Sequence, residues 1–242
     1  TLEGHGTVVT GTVFAGRVRV GDRLWVSPRG VEARVRGIHA QNRESQEGQV
    51  GQRCALNLAG VDKHDIARGD WLLEPAAHAP TDRLDAWLRV PASASRPLRH
   101  WMPVHLHLGA TDVMAHVALL EATSLAPGAS GFAQLVLAQP IGALHGDRLI
   151  LRDQSGQTTV AGGSVLDPFA PARKTRTPER LAVLAALQAP TAARALARLL
   201  DAAVGGVDLA WFARSYNLRA IAVDALYADT PMTVINADGK RF

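Results

Sequence analysis

Residues 4–74 read as short β-branched runs broken by glycine: Val8–Val13, Arg17–Val20, Arg23–Val26, Ala33–His39, Arg53–Leu58 and Trp71–Leu73. Apolar and polar positions alternating over such lengths, with turn residues at regular intervals, predict a small antiparallel barrel over residues 1–74. Gly16, Gly21 and Gly30 fall where the chain must reverse, and glycine takes a positive φ there without steric cost. Residues 75–81, bounded by Pro75 and Pro80, predict an inter-domain linker. The strand pattern resumes over residues 82–170, with runs at Leu84–Val90, Pro103–Leu108, Ala115–Leu120, Gly131–Leu137, Arg148–Arg152 and Thr159–Val165. A second antiparallel β-barrel is the simplest arrangement of these runs, since no helix-period segment of competing length occurs before residue 177.

After Asp167-Pro168 the periodicity changes. Leu181, Leu184 and Leu187 recur on one helical face behind Thr177, an N-cap, and Pro178, a first-turn proline. A second helix begins after Pro190 with Leu196, Leu199 and Leu200 on its apolar side, and Gly205-Gly206 ends it. Two short helices follow, Leu209–Ser215 and Arg219–Tyr227, and then a strand at Met232–Ile235 runs into Asn236-Ala237-Asp238-Gly239. Helices, a tight turn, a further helix and a β-hairpin predict a linker helix and a winged helix over residues 171–242, with the wing cut short at Phe242. The expected fold class is mainly β with a C-terminal α+β part.

At 242 residues and 47% hydrophobic, the chain is long enough for one large or two to three small cores. It has no apolar run long enough to span a bilayer and no signal-peptide pattern, which predicts a cytoplasmic protein. It begins without Met and in mid-pattern, so a stretch of a longer protein is expected. The single cysteine, Cys54, excludes an internal disulfide and a thiolate metal cluster, and its apolar neighbours predict a buried core residue. The net charge of +4 is carried by residues 173–242, and nearly all of the cations are arginine. That usage fits either a GC-rich genome or bidentate phosphate contacts.

Catalytic motifs are absent. There is no Gly-x4-Gly-Lys-Ser/Thr loop and no Asn-Lys-x-Asp motif, so GTP binding is not expected in these residues. The Gly4-x-Gly6 pair opens a strand rather than a helix, which excludes a dinucleotide loop. His105 and His107 alternate on one strand with His100 and His116 nearby, but zinc needs three or four ligands in fixed geometry and no cysteine or carboxylate joins them at recognisable spacing. No metal site is expected.

The segments Gly4–Val13, Gly37–Asn42, Gly51–Gly60 and Arg68–Leu72, followed by Trp101–His107, Leu149–Ser155 and Gly162-Gly163, resemble the bacterial selenocysteine-specific elongation factors over essentially the whole chain. The first segment alone marks many translational GTPases. Gly37–Asn42 and Arg68–Leu72 depart from elongation factor Tu in the way this branch does. The resemblance implies that residues 1–74 and 82–170 are the second and third domains of such a factor and residues 171–242 its first winged-helix repeat. GTP and Mg²⁺ would then belong to a GTPase domain outside these residues, and this segment would need no cofactor. The implied partners are selenocysteinyl-tRNA, the ribosome and, through later winged-helix repeats, an mRNA hairpin. The first repeat would then serve as a spacer, although Arg219 and Lys240-Arg241 stand where a winged helix contacts nucleic acid.

The resemblance also assigns residues. Arg53 falls where elongation factor Tu carries an Asn beside the aminoacyl group. A selenol is largely ionised at neutral pH, so a permanent cation favours selenocysteine over serine by charge. Arg53 otherwise reads as a solvated strand residue. His39 falls where related factors line the terminal-adenosine pocket with Glu, and Leu2, Val8 and Asn57 fall around it; an exposed strand-end histidine is the plainer alternative. An acidic and basic pair that the family places before Thr1 lies outside the chain. Arg96, Arg99 and Arg152 are candidate tRNA phosphate contacts on the second barrel. From another class comes a DNA-binding regulator built of barrels and a winged helix, but Ala220–Val223 after Arg219 gives its recognition helix little charge.

Overall fold

A computed structural model describes residues 6–203, 205–237 and 240–241, and the chain divides into two compact units, Thr1–Pro80 and Thr81–Phe242. Apart from two short 3-10 turns at Lys63–Asp65 and Pro75–Ala77, the first is built of strands: β1 Thr7–Thr12, β2 Arg17–Arg19, β3 Arg23–Ser27, β4 Val31–Ala40, β5 Arg43–Ser45, β6 Glu47–Gln49, β7 Arg53–Ala59 and β8 Trp71–Leu73. The main sheet runs β1-β7-β4-β3-β8 with β5 on β4, and β2 pairs β6 as a separate ribbon. Every pairing is antiparallel. Val26, Ala33, Val35, Ile38 and Leu58 are buried in one core together with Val18 of the ribbon. Gly16, Gly21 and Gly30 all take positive φ.

Cys54 is part of this core, and burial raises its thiol pKa. A Cβ on Gly48 would lie 2.6 Å from the Cys54 sulfur, so the ribbon closes over the cysteine only because residue 48 has no side chain. The β4–β5 hairpin was not expected. Its two-residue loop, Gln41-Asn42, has positive φ at both positions, as a type I′ turn requires, without the usual glycine.

The second unit opens with a barrel built from β9 Thr81–Arg89, β10 Leu98–Arg99, β11 Met102–Leu108, β12 Thr111–Leu119, β13 Ser124–Leu125, β14 Ser130–Ile141, β15 Arg148–Arg152 and β16 Thr159–Asp167. Six of these close in the order β11-β12-β14-β9-β16-β15, while β10 and β13 form a ribbon. Inward positions alternate as expected: Leu84, Ala86 and Leu88 on β9 meet Val104, Leu106 and Leu108 on β11 in one core. Gly163 stands beside Trp87, where a Cβ would run into the β9 backbone.

Four helices follow: α1 Pro178–Leu187, α2 Ala192–Ala202, α3 Leu209–Ser215 and α4 Ala220–Asp229. Thr177 caps α1, its hydroxyl accepting from the Arg180 amide at 3.2 Å; Thr191 caps α2, and Asp208 caps α3. The helices do not form a core of their own. Leu184, Leu187, Leu196, Leu199 and Phe212 are buried together with Leu120, Phe132 and Leu166 of the barrel wall. Fully burying a side chain of this size contributes about 1.5–3 kcal/mol, so the barrel surface is a structural half of the helical core.

The strand expected at Met232–Ile235 is not formed; residues 231–235 are irregular, and Val234 and Ile235 are exposed. The ladder lies further on, where β17 Asn236–Ala237 pairs β18 Lys240–Arg241. β-branched residues without a partner strand have nothing to hold them extended.

Candidate functional site

In the first unit, β7 lies between β1 and β4, and strand alternation sends Arg53, Ala55 and Asn57 to the outer face while Cys54, Leu56 and Leu58 enter the core. Register then brings the expected residues together. Val8, Asn57 and Gly37 form one cross-strand row; Thr10, Ala55 and His39 form the next; Thr12 and Arg53 form the third. Arg53 and Asn57 are four residues apart on one strand, an interval of about 13 Å.

The face is charged at one end and apolar at the other. Arg53 is exposed and its Nη2 lies 3.5 Å from the Thr10 hydroxyl, so the guanidinium leans along the face toward the His39 row. Val8 is 58% exposed, an apolar side chain held out of the core by the strand period. Among the described residues, the Asn57 side-chain oxygen is buried without a hydrogen-bond partner, against the backbone at Gly6. The orphaned amide oxygen is enclosed, so the groups this face presents to solvent are Val8, His39 and Arg53. Leu2 lies outside the described residues. Glu44, on the unexpected strand β5, stands directly across from His39 and was missed. Its signal was the Gln41-Asn42 turn, which folds the chain back at this point.

The second unit places the other candidates on the outer wall of the barrel. Arg96 lies exposed in the loop before β10, Arg99 is exposed on β10, and Arg152 is exposed on β15 opposite His105. Arg152 Nη1 donates to the Gly156 carbonyl at 3.0 Å, within its own hairpin. His105 and His107 are on one face of β11 and stack at 6.3 Å, as their spacing predicted. A carboxylate does join them: Asp112 Oδ1 lies 3.0 Å from His105 Nδ1, with Oδ2 4.0 Å from His107 Nδ1. Asp112 was overlooked because it belongs to β12 and arrives by register rather than by spacing.

Two further features were not anticipated. A groove of ≈ 940 Å³ runs between the barrel and the end of α1, with Arg89 and Arg148 flanking the Gly162-Gly163 floor. Arg180 of α1 enters the barrel wall, donating from Nε to Asp85 at 3.0 Å and from Nη2 to Asp167 at 2.7 Å. Both carboxylates are buried; Gln134 donates to Asp85 and the Trp211 indole to Asp167. Desolvation pushes the Asp85 pKa up against the pull of Arg180, while the paired carboxylates raise that of Arg180 itself. Among the described residues no helix is long and apolar enough to cross a membrane.

Comparison with known proteins gives two domain matches in chain order. The family model for elongation factor Tu domain 2 matches residues 6–73, and that for the selenocysteine-specific elongation factor β-barrel domain matches residues 85–172. A selenocysteine-specific elongation factor of Escherichia coli (strain K12) is 39% identical over 98% of this chain, which spans 38% of that protein's length. The protein of the same name from Haemophilus influenzae is 41% identical over 77% of the chain and 30% of its own length. Elongation factor Tu 2 of Streptomyces avermitilis is 32% identical over 68% of the chain and 43% of its own length. A first unit matching the general factor, a second matching the specialised one, and a likeness that runs on through the helices together show that the chain belongs to the family of selenocysteine-specific elongation factors.

Proposed function

We propose that this chain holds the aminoacylated acceptor end of selenocysteinyl-tRNA on the outer face of β1, β7 and β4. The observation that carries the reading is the three-row register, which gathers Val8, Asn57, His39 and Arg53 on one face with a permanent cation at one end and an exposed valine at the other. Val8, Asn57 and His39 line the terminal adenosine: the valine packs on the base, Asn57 borders it in the same row, and the imidazole stacks or donates. Arg53 meets the selenolate. Arg96, Arg99 and Arg152 are phosphate contacts for the acceptor and T arms, and Leu2 belongs to the adenosine end.

In this reading residues 1–74 and 82–170 are the second and third domains, 75–81 their connection, and 171–242 a linker helix and winged helix that act as a spacer. The chain holds its cargo without hydrolysing GTP; GTP and Mg²⁺ are bound by a separate domain, the mRNA hairpin by separate repeats, and delivery is to the ribosome in the cytoplasm. A DNA-binding regulator is disfavoured because α4, which would read the groove, presents Ile221 at 85% exposure and no cation of its own.

Equilibrium binding of selenocysteinyl-tRNA and seryl-tRNA to the intact protein tests the reading. A charge-assisted contact contributes about 1.5–3 kcal/mol, so Arg53→Ala is expected to weaken the selenocysteinyl form at least tenfold and the seryl form little. Equal losses for both would remove Arg53 from the selenolate.

A further inference from the structure

The turn between β10 and β11 places Trp101 in a conformation that tryptophan seldom adopts. Its φ is +63°, a region costly for a bulky L residue and suited to glycine. The Trp101 amide donates to the Val117 carbonyl at 2.6 Å, which fixes the turn, and the barrel core beside it is filled by Leu98 and Val104. The indole therefore packs none of the core. It lies on the outer wall, stacked on His116 at 5.1 Å with the ring planes 20° apart, and it remains 52% exposed.

Exposed cations lie near it in the chain or on its histidine neighbour. Arg99 is exposed two residues earlier. Arg176 donates to the Leu119 carbonyl at 2.9 Å and has its Nη2 2.9 Å from His100 Nδ1, while the His100 ring adjoins the indole at 6.2 Å. Arg173 and Lys174 are exposed just before Arg176. An open aromatic face supported from behind, with the Arg176 guanidinium on the adjoining His100, is the arrangement that receives an unpaired base while the neighbouring phosphates meet the cations. An apolar protein anchor would not call for that charge.

We infer that Trp101, backed by His116, is a stacking platform for an unpaired base of the bound RNA, with Arg99 and Arg176 on the adjoining phosphates. The inference rests on the reading of the chain as a tRNA carrier and adds a base contact to the phosphate contacts of the second unit.

The test compares Trp101→Gly, Trp101→Phe, Arg176→Ala and Arg53→Ala in the intact protein, measuring affinity for selenocysteinyl-tRNA and seryl-tRNA across a salt series. Glycine accepts the positive φ, so Trp101→Gly is expected to melt at or above the wild-type temperature. It should bind both charged tRNAs about tenfold more weakly, as the loss of one stacked base does, with the salt slope unchanged because a stack releases no counterion. Trp101→Phe should recover to within about threefold, and Arg176→Ala should lower the slope by about one. Unchanged tRNA affinity in Trp101→Gly, with Arg53→Ala still impaired, would overturn the platform and leave the carrier reading intact. A defect confined to ribosome pelleting would give the ring to a protein partner and overturn it equally. Failure of the wild-type protein to hold either tRNA would remove the carrier reading and the platform with it.

Discussion

Arg180 enters the barrel wall as the cation between Asp85 and Asp167, two carboxylates that water does not reach. Removing it leaves both charges buried without compensation, which costs about 3–5 kcal/mol. Arg180→Ala is therefore expected to lower the urea midpoint of the second unit by that equivalent, with Arg180→Ala/Asp85→Asn recovering part of the loss because one stranded charge has gone. Nothing in the sequence joins residues 85, 167 and 180. Their one trace is that Leu84-Asp85-Ala86-Trp87-Leu88 fails to alternate, since Trp87 is partly buried on the outward face too, where α1 and Phe132 cover it. Arg53, His39, Val8 and Asn57 are named by the family resemblance and not by the pattern, yet their placement has a simple geometric basis. All lie on strands whose period of two can be counted, so their common face follows once register is right.

At the scale of elements, the start of α1 could be read to the residue because Thr177 carries the capping chemistry itself, whereas the Thr191 and Asp208 caps were not singled out and α4 begins at Ala220 rather than Arg219. The β4–β5 hairpin could not, since Gln41 is an unusual occupant of a type I′ turn, and the Met232–Ile235 strand was over-read because apolar β-branched residues suggest a strand whether or not a partner exists. The end of α3 makes a contact no pattern announces. Tyr216 stacks on His145 at 4.0 Å, the His145 amide donates to the Ser215 carbonyl at 2.8 Å, and the ring Nδ1 lies 2.8 Å from the Leu166 carbonyl.

Burial holds the His145 imidazole below the ordinary histidine value, against the opposing pull of Leu166, Asp167 and Asp147. A depressed histidine favours the folded state while neutral. Its contribution is present above the unfolded value of about 6.5 and is lost as pH falls through the lower folded value. The second unit of His145→Phe should thus show a smaller fall in melting temperature between pH 7.5 and pH 5.5 than the wild type. The opposite order would mean that the ring is charged in place.

For the molecule as a whole, the two compact units part at Pro80. The sequence leads to the expectation of a linker over 75–81, a barrel over 82–170 and a linker helix with a winged helix over 171–242. What it concealed is that Leu120, Phe132 and Leu166 belong to the helical core. Barrel and helices should therefore lose structure together. Limited proteolysis between residues 74 and 80 followed by calorimetry of the 81–242 fragment is expected to give one transition with equal van't Hoff and calorimetric enthalpies. Two separated transitions, the helical one first, would mean that the shared core does not couple them.

The same shared core has a mechanical consequence. A helical appendage on a flexible tether dissipates any pull in slack, whereas one whose leucines are embedded in a barrel wall and whose arginine is bolted between two carboxylates acts as a lever arm. A tug on α2 or α3 arrives at β9 and β16 as torque, within the sheet that also flanks the Arg89–Arg148 groove.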